Sequence, residues 1–201
     1  MIATYIQGFG IGAGLIIAIG AQNAFVLSQG IKKEYHWLVP LICSLCDCIL
    51  IIVGAAGMGV LIAEHPSLTR ITGWVGAVFL AGYGTRAYVS AFSSRFLAEN
   101  TEKRTRSLRN VVLTTLALTL LNPHVYLDTI VLLGSVSGRY MGTHKALFAL
   151  GACSASIVWF FFLSFAGTLA RPVFRNPVFW KILDLLLGTV MWFIAFVIWP
   201  E

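Results

Sequence analysis

Two aspartates stand where lipid should be. Asp47 lies ten residues into an apolar stretch from Trp37 to Ala63, and Asp128 lies in the second half of another, from Val111 to Leu133. Charge at bilayer depth is costly, so an acidic residue inside a spanning segment needs a reason. A carboxyl that can hold either a proton or a cation is what a proton-coupled transport site requires. The structural alternative is a neutral Asp hydrogen-bonded between helices.

Each aspartate has polar company elsewhere in the chain. Gln22 and Asn23 are adjacent amides that follow Gly20, and an amide carbonyl can accept from an ammonium or guanidinium donor. Asn122-Pro123 sits near the centre of its segment. Proline removes a backbone donor and clashes with the preceding turn, so the helix should kink or break there. The freed carbonyls can then line a cavity. His124 and Asp128 are four apart and share a helix face, whereas Tyr126 points elsewhere. Cys43, Cys46 and Cys48 resemble a metal motif in letters only, because a closed soft-metal site needs further ligands. No catalytic group, metal site or cofactor is expected, and no nucleotide-binding motif is present.

The elements that must position these residues follow from composition. Of the 201 residues, 58% are hydrophobic and only 11% charged, less than half the roughly 25% of a soluble domain. Six apolar stretches can be read: Ile2–Leu27, Trp37–Ala63, Leu68–Phe92, Val111–Leu133, Ala146–Ala170 and Phe179–Trp199. Each approximates the ~20 residues a helix needs to cross the hydrocarbon core. Helix is the expected state, since unpaired backbone groups are costly in lipid and the stretches are too long for barrel strands. The fold class expected is an all-α integral membrane protein.

The formal charge of +6 reflects loop lysines and arginines. Nothing points to nucleic acid, because no basic-aromatic surface accompanies the charge. Connections one, three and five carry ten Lys and Arg, against three in connections two and four and both termini. The positive-inside rule places the richer set in the cytoplasm. Arg86 lies within the third stretch, free to snorkel or to pair with an aspartate.

Three segments, a basic central loop and three more segments suggest duplication. The units expected are a first three-helix repeat at 1–92, a cytoplasmic loop at 93–110 and a second repeat at 111–201. Halves with an odd number of spans lie with opposite orientation, as in inverted-repeat transporters. The first helix of each half carries a disruptive patch, Gly20-Ala21-Gln22-Asn23 in one and Asn122-Pro123-His124 in the other. Both first helices are expected to be broken.

The stretch Ile19-Gly20-Ala21-Gln22-Asn23-Ala24-Phe25-Val26-Leu27, followed by Gln29-Gly30-Ile31, resembles the N-terminal signature of the lysine/arginine exporter (LysE/ArgO) family. Leu121-Asn122-Pro123-His124-Val125-Tyr126-Leu127-Asp128 resembles its second signature, nearest the arginine-exporting branch, and Asp47 matches the acidic residue of the second helix. The family usually has Gly-Pro-Gln-Asn where this chain has Gly20-Ala21-Gln22-Asn23. The resemblance implies export of L-arginine, L-lysine or an analogue across the bacterial inner membrane by a multi-pass carrier. The residues expected to bind substrate or couple it to protons are Asp47, Asp128, Gln22, Asn23, Asn122, Pro123, His124 and Tyr126. The expected partners are a basic amino acid, protons and membrane lipids, with a homodimer left open. The competing readings are a divalent metal-cation exporter and an intramembrane aspartyl protease. The protease should carry Gly-x-Gly-Asp, which neither Asp47 nor Asp128 has.

Overall fold

The computed structural model describes residues 1–17, 20–58, 66–92, 107–172 and 177–197, and these are helical apart from short turns. Most of the 93–110 loop lies outside the described residues. In chain order the helices are α1 (Ile2–Ile16), α2 (Ala21–Lys32), α3 (Leu38–Val53), α4 (Pro66–Phe92), α5 (Leu108–Leu120), α6 (Pro123–Tyr126), α7 (Leu133–Ser137), α8 (Thr143–Ala170) and α9 (Pro177–Val197). A π-helical turn at Gly54–Met58 extends α3, and a second at Leu127–Leu132 joins α6 to α7.

Among the described residues, Leu38–Gly57 and Thr143–Ala170 are each long and apolar enough to cross a membrane alone. A third such span forms if α1 and α2 are taken together across their 85° bend. The outward faces suit lipid: Leu41, Leu45, Ile49 and Ile52 of α3 are all exposed at helical spacing, as are Val158, Phe162, Phe165 and Leu169 of α8.

α8 is the hub. It packs against α1, α2 and α3, while α4 and α9 pair with each other at the flank. Close approach to the hub depends on residues without bulk. A Cβ at Gly8 or Gly30 would collide with the backbone carbonyls of Phe148 or Ser164, and one at Gly12 would sit 2.9 Å from the Ala152 Cα. Side chains fix what the glycines admit. Ser164 Oγ donates to the His36 carbonyl at 2.6 Å, holding the α2–α3 turn on α8. At the opposite end Tyr140 Oη donates to Gln7 Oε1 at 2.7 Å, and Thr4 bonds His144 at 3.0 Å. On the flank Ser90 Oγ donates to Asp184 Oδ2 at 2.7 Å, and Arg86 is exposed.

Both breaks expected from sequence are present. α1 stops at Ile16 and α2 begins at Ala21, after Gly20 in an extended conformation (φ −132°, ψ 172°). Alanine in place of the usual proline therefore still permits a sharp break. α5 stops at Leu120 and helix resumes at Pro123, whose missing N–H is harmless at a first helical position.

Candidate functional site

The two breaks face one cavity of about 280 Å³. α1 supplies Leu15 and Ile16 to it, the first break supplies Gly20, and α2 supplies Gln22 and Asn23. Asp47 enters from α3, Asn122 from the second break, and Asp128 and Thr129 from the π-helical turn. Phe160 of α8 and Phe193 and Ile194 of α9 form apolar wall. Asp47 and Asp128, 81 residues apart in sequence, therefore border the same space.

The mid-span position of Asp47 leaves the carboxylate 3% exposed. Its Oδ2 accepts a hydrogen bond from Ser156 Oγ of α8 at 2.9 Å, while Oδ1 is buried without a partner. The Gln22 side chain stands beside it, yet Gln22 Nε2 is also buried and unpartnered. An unsatisfied buried polar group costs about 1–3 kcal/mol, and more when charged. A donor on one side and an acceptor on the other, both unsatisfied at the cavity wall, are what an incoming zwitterion with a cationic side chain could satisfy. The Cys43 thiol lies close to the side chains of Gln22 and Thr119 and ties this corner to α5.

Asp128 is held differently. It occupies a π-helical turn, an irregularity frequent at functional sites because it redirects a side chain out of the α register. It is half-buried, whereas its neighbour Thr129 is buried.

The two breaks are closed by matching clips. Asn23 Nδ2 reaches back seven residues to donate to the Ile16 carbonyl at 3.0 Å, and Tyr126 Oη reaches back six to donate to the Leu120 carbonyl at 2.6 Å. Each satisfies an orphan carbonyl at the end of the interrupted helix. The clips engage two of the residues expected at the site. Asn23 lines the cavity, but its amide N–H is occupied by Ile16, and its Oδ1 accepts from Trp159 Nε1 at 3.3 Å. Tyr126 is not among the cavity-lining residues, and its hydroxyl serves the break. Gln22, Asp47, Asn122 and Asp128 all border the cavity. The side chains of Pro123 and His124 lie outside the described residues.

Ser156 and Trp159 were not foreseen as site residues. Ser156 is a small polar residue in an apolar helix and is 0% exposed, so the signal was a hydroxyl in a spanning segment. The cysteines diverge. Cys43 faces Gln22 and Thr119, whereas Cys48 and Cys153 exchange long contacts with each other's carbonyls at 3.9 and 4.0 Å. Among the described residues no three His, Cys, Asp or Glu side chains stand together as a metal would need.

Comparison with known proteins gives the family of the chain. A family described as LysE type translocator matches residues 13–199. The arginine exporter protein ArgO of Salmonella newport (strain SL254) is 43% identical over 196 residues, covering 98% of this chain and 93% of that protein. The ArgO proteins of Serratia proteamaculans (strain 568) and Klebsiella pneumoniae subsp. pneumoniae are 42% and 41% identical, over 97% and 98% of this chain. They are themselves covered over 95% and 93% of their lengths. No solved structure matches.

Proposed function

Since the chain belongs to the LysE type translocator family, a family of membrane transporters rather than enzymes, we propose that it exports L-arginine, or a close basic analogue such as L-lysine, from the cytoplasm in exchange for protons. The observation that carries this reading is the single cavity bordered by both Asp47 and Asp128. Its volume of about 280 Å³ lies just below the ~300–1,000 Å³ usual for small-molecule sites, in keeping with a ligand as small as one amino acid. The names of the ArgO relatives supply the substrate class.

In this reading the two carboxylates receive the cationic side chain. Gln22 and Asn122, together with carbonyls freed around Pro123, hold the α-amino and α-carboxyl groups. Asn23, clipped to Ile16, and Tyr126, clipped to Leu120, keep both helix breaks open to the substrate. His124, adjacent to the second break, belongs to the same proposal on sequence grounds. A cation leaving a cell moves against the membrane potential at about 2.3 kcal/mol per charge per 100 mV. Exchange for an incoming proton at the same carboxylates cancels that electrical cost.

The protein belongs in the bacterial inner membrane as a multi-pass carrier of six spans, with the Lys32–Lys33 turn in the cytoplasm. Two inverted three-helix repeats underlie the proposal. The support is positional: each half opens with a broken helix clipped by a side chain just past the break, and α4 and α9, the last helix of each half, pair with each other. In such folds the substrate sits where the repeats meet, and the halves rock around it. The test is efflux of radiolabelled L-arginine from cells lacking this protein, with and without its restoration. Restoration should raise efflux, and equal efflux in both strains would remove arginine from the proposal.

A further inference from the structure

Gln29 is the most deeply buried polar side chain of α2. It is 0% exposed, and neither its Nε2 nor its Oε1 has a hydrogen-bond partner. Among the described residues, the buried side-chain atoms left unpartnered belong to Gln22, Gln29 and Asp47. Two of these residues border the cavity, and Gln29 does not. Helix geometry relates them. Residues seven apart on an α-helix differ by about 20° in direction and about 10.5 Å along the axis. Gln29 thus lies on the Gln22 face of α2, displaced from the cavity toward Lys32 and the turn assigned to the cytoplasm.

α2 packs against α3 and α5, and on this face Gln22 meets Cys43 of α3, which in turn lies near Thr119 of α5. Val26 of α2, Val39 of α3 and Val111 of α5 are all essentially fully buried and belong to one apolar cluster. The seam between these three helices also carries polar groups at successive levels. Cys43 and Thr119 stand beside Gln22, which borders the cavity, and Thr115, one helical turn before Thr119 on α5, is buried like Thr119. The Thr115 and Thr119 hydroxyls donate back to their own helix, to the Val111 and Thr115 carbonyls, so each oxygen can still accept another hydrogen bond. The side of α2 toward α8, about 100° round the helix from Gln29, is in direct backbone contact. Gly30 meets the Ser164 carbonyl directly, and Ser164 in turn holds the His36 carbonyl.

A residue needed only to fill space here would be apolar, because an amide buried with both ends unpaired destabilises this arrangement. Both ends require another arrangement or a ligand. We propose that the α2–α3–α5 seam is the closed cytoplasmic entrance to the cavity, and that Gln29 is a second binding position within it for the cationic substrate. When the seam parts, the Gln29 carbonyl oxygen accepts from the guanidinium or ammonium group of the incoming amino acid, which then passes along the Gln22 face to Asp47 and Asp128. The inference rests on the exporter reading and adds a site to it.

Two variants test it beside the wild type in everted membrane vesicles, which present the cytoplasmic face. Gln29→Leu should keep or raise the melting temperature of the purified protein while lowering L-arginine transport at least tenfold. Wild-type transport by this variant, or a fall in its melting temperature, would overturn the proposal. Gln29→Cys, in a background with Cys43, Cys46, Cys48 and Cys153 replaced by serine, should react with a membrane-impermeant thiol reagent from the cytoplasmic face. Added L-arginine should slow that reaction severalfold. A Gln29→Cys protein that still carries arginine, yet whose introduced thiol is inert from that face, would overturn it independently. If the wild type itself moves no arginine, the exporter reading fails, whereas an unimpaired Gln29→Leu beside an active wild type sinks the second position alone.

Discussion

Replacing Asp47 by Asn isolates the charge that the proposed cycle depends on. The substitution is nearly isosteric. Ser156 donates to Oδ2 at 2.9 Å, and the Asn carbonyl can take that hydrogen bond unchanged. The new amide N–H falls where Oδ1 now lies unpartnered beside Gln22, whose own amide can turn to present its carbonyl. Packing survives, and a charge is removed from a site only 3% exposed, so the folded protein should lose no stability. The loss is the charge-assisted hydrogen bond to the substrate's cationic group, worth about 1.5–3 kcal/mol. At 1.4 kcal/mol per factor of ten, that is roughly a 10- to 150-fold weakening. In proteoliposomes under an imposed pH gradient, the initial rate of radiolabelled L-arginine flux at subsaturating concentration should fall by that factor. The melting temperature of the purified variant should match the wild type. Asp128→Asn should behave similarly, and the two substitutions should be non-additive because both carboxylates border one space. Full pH-driven flux in both single variants would refute the coupling role.

Further outcomes follow from individual contacts. Ser156→Ala removes the one hydrogen bond that orients the Asp47 carboxylate, so KM for L-arginine should rise several-fold, by roughly the ~1 kcal/mol of one net hydrogen bond, with flux at saturation largely kept. Tyr126→Phe frees the Leu120 carbonyl and should lower the melting temperature through a loss of about 0.5–1.5 kcal/mol. Gly167→Ala would place a Cβ 2.6 Å from the Leu27 carbonyl oxygen, and the overpacking should cost about 1–3 kcal/mol, read as reduced folded yield on size-exclusion chromatography. Gly14→Ala, with nothing within 4 Å of the added carbon, should be neutral in the same assay.

Much of this architecture was legible because the solvent is lipid. The bilayer forces helix on any long apolar run, so the described residues of each stretch read from hydropathy are largely helical, with two stretches interrupted at the breaks. Gly20 and Asn122-Pro123 announced both breaks through backbone chemistry that needs no tertiary information. Charge at depth announced Asp47 and Asp128, because few structural roles can tolerate it. What escaped depended on the angle at which helices meet. Ser156 and Trp159 look like ordinary residues of an apolar helix until α8 is docked against α3 and α2. Asn23 and Tyr126 carry groups able to bind a ligand, and only their reach back to Ile16 and Leu120 assigns them to the breaks. In the sequence Gln29 stands out only as part of a signature, since its lack of partners is a property of the packed helices.

The most direct measurement is the release of protons when L-arginine binds the purified wild-type protein in weakly buffered solution. If one cavity holds either a proton or the cationic amino acid, binding must expel about one proton per arginine, and by reciprocal linkage a lower pH must weaken arginine binding. The Asp47→Asn, Asp128→Asn double variant should neither bind arginine appreciably nor release protons. Arginine binding to the wild type with no proton released, or binding of undiminished affinity by the double variant, would contradict the account.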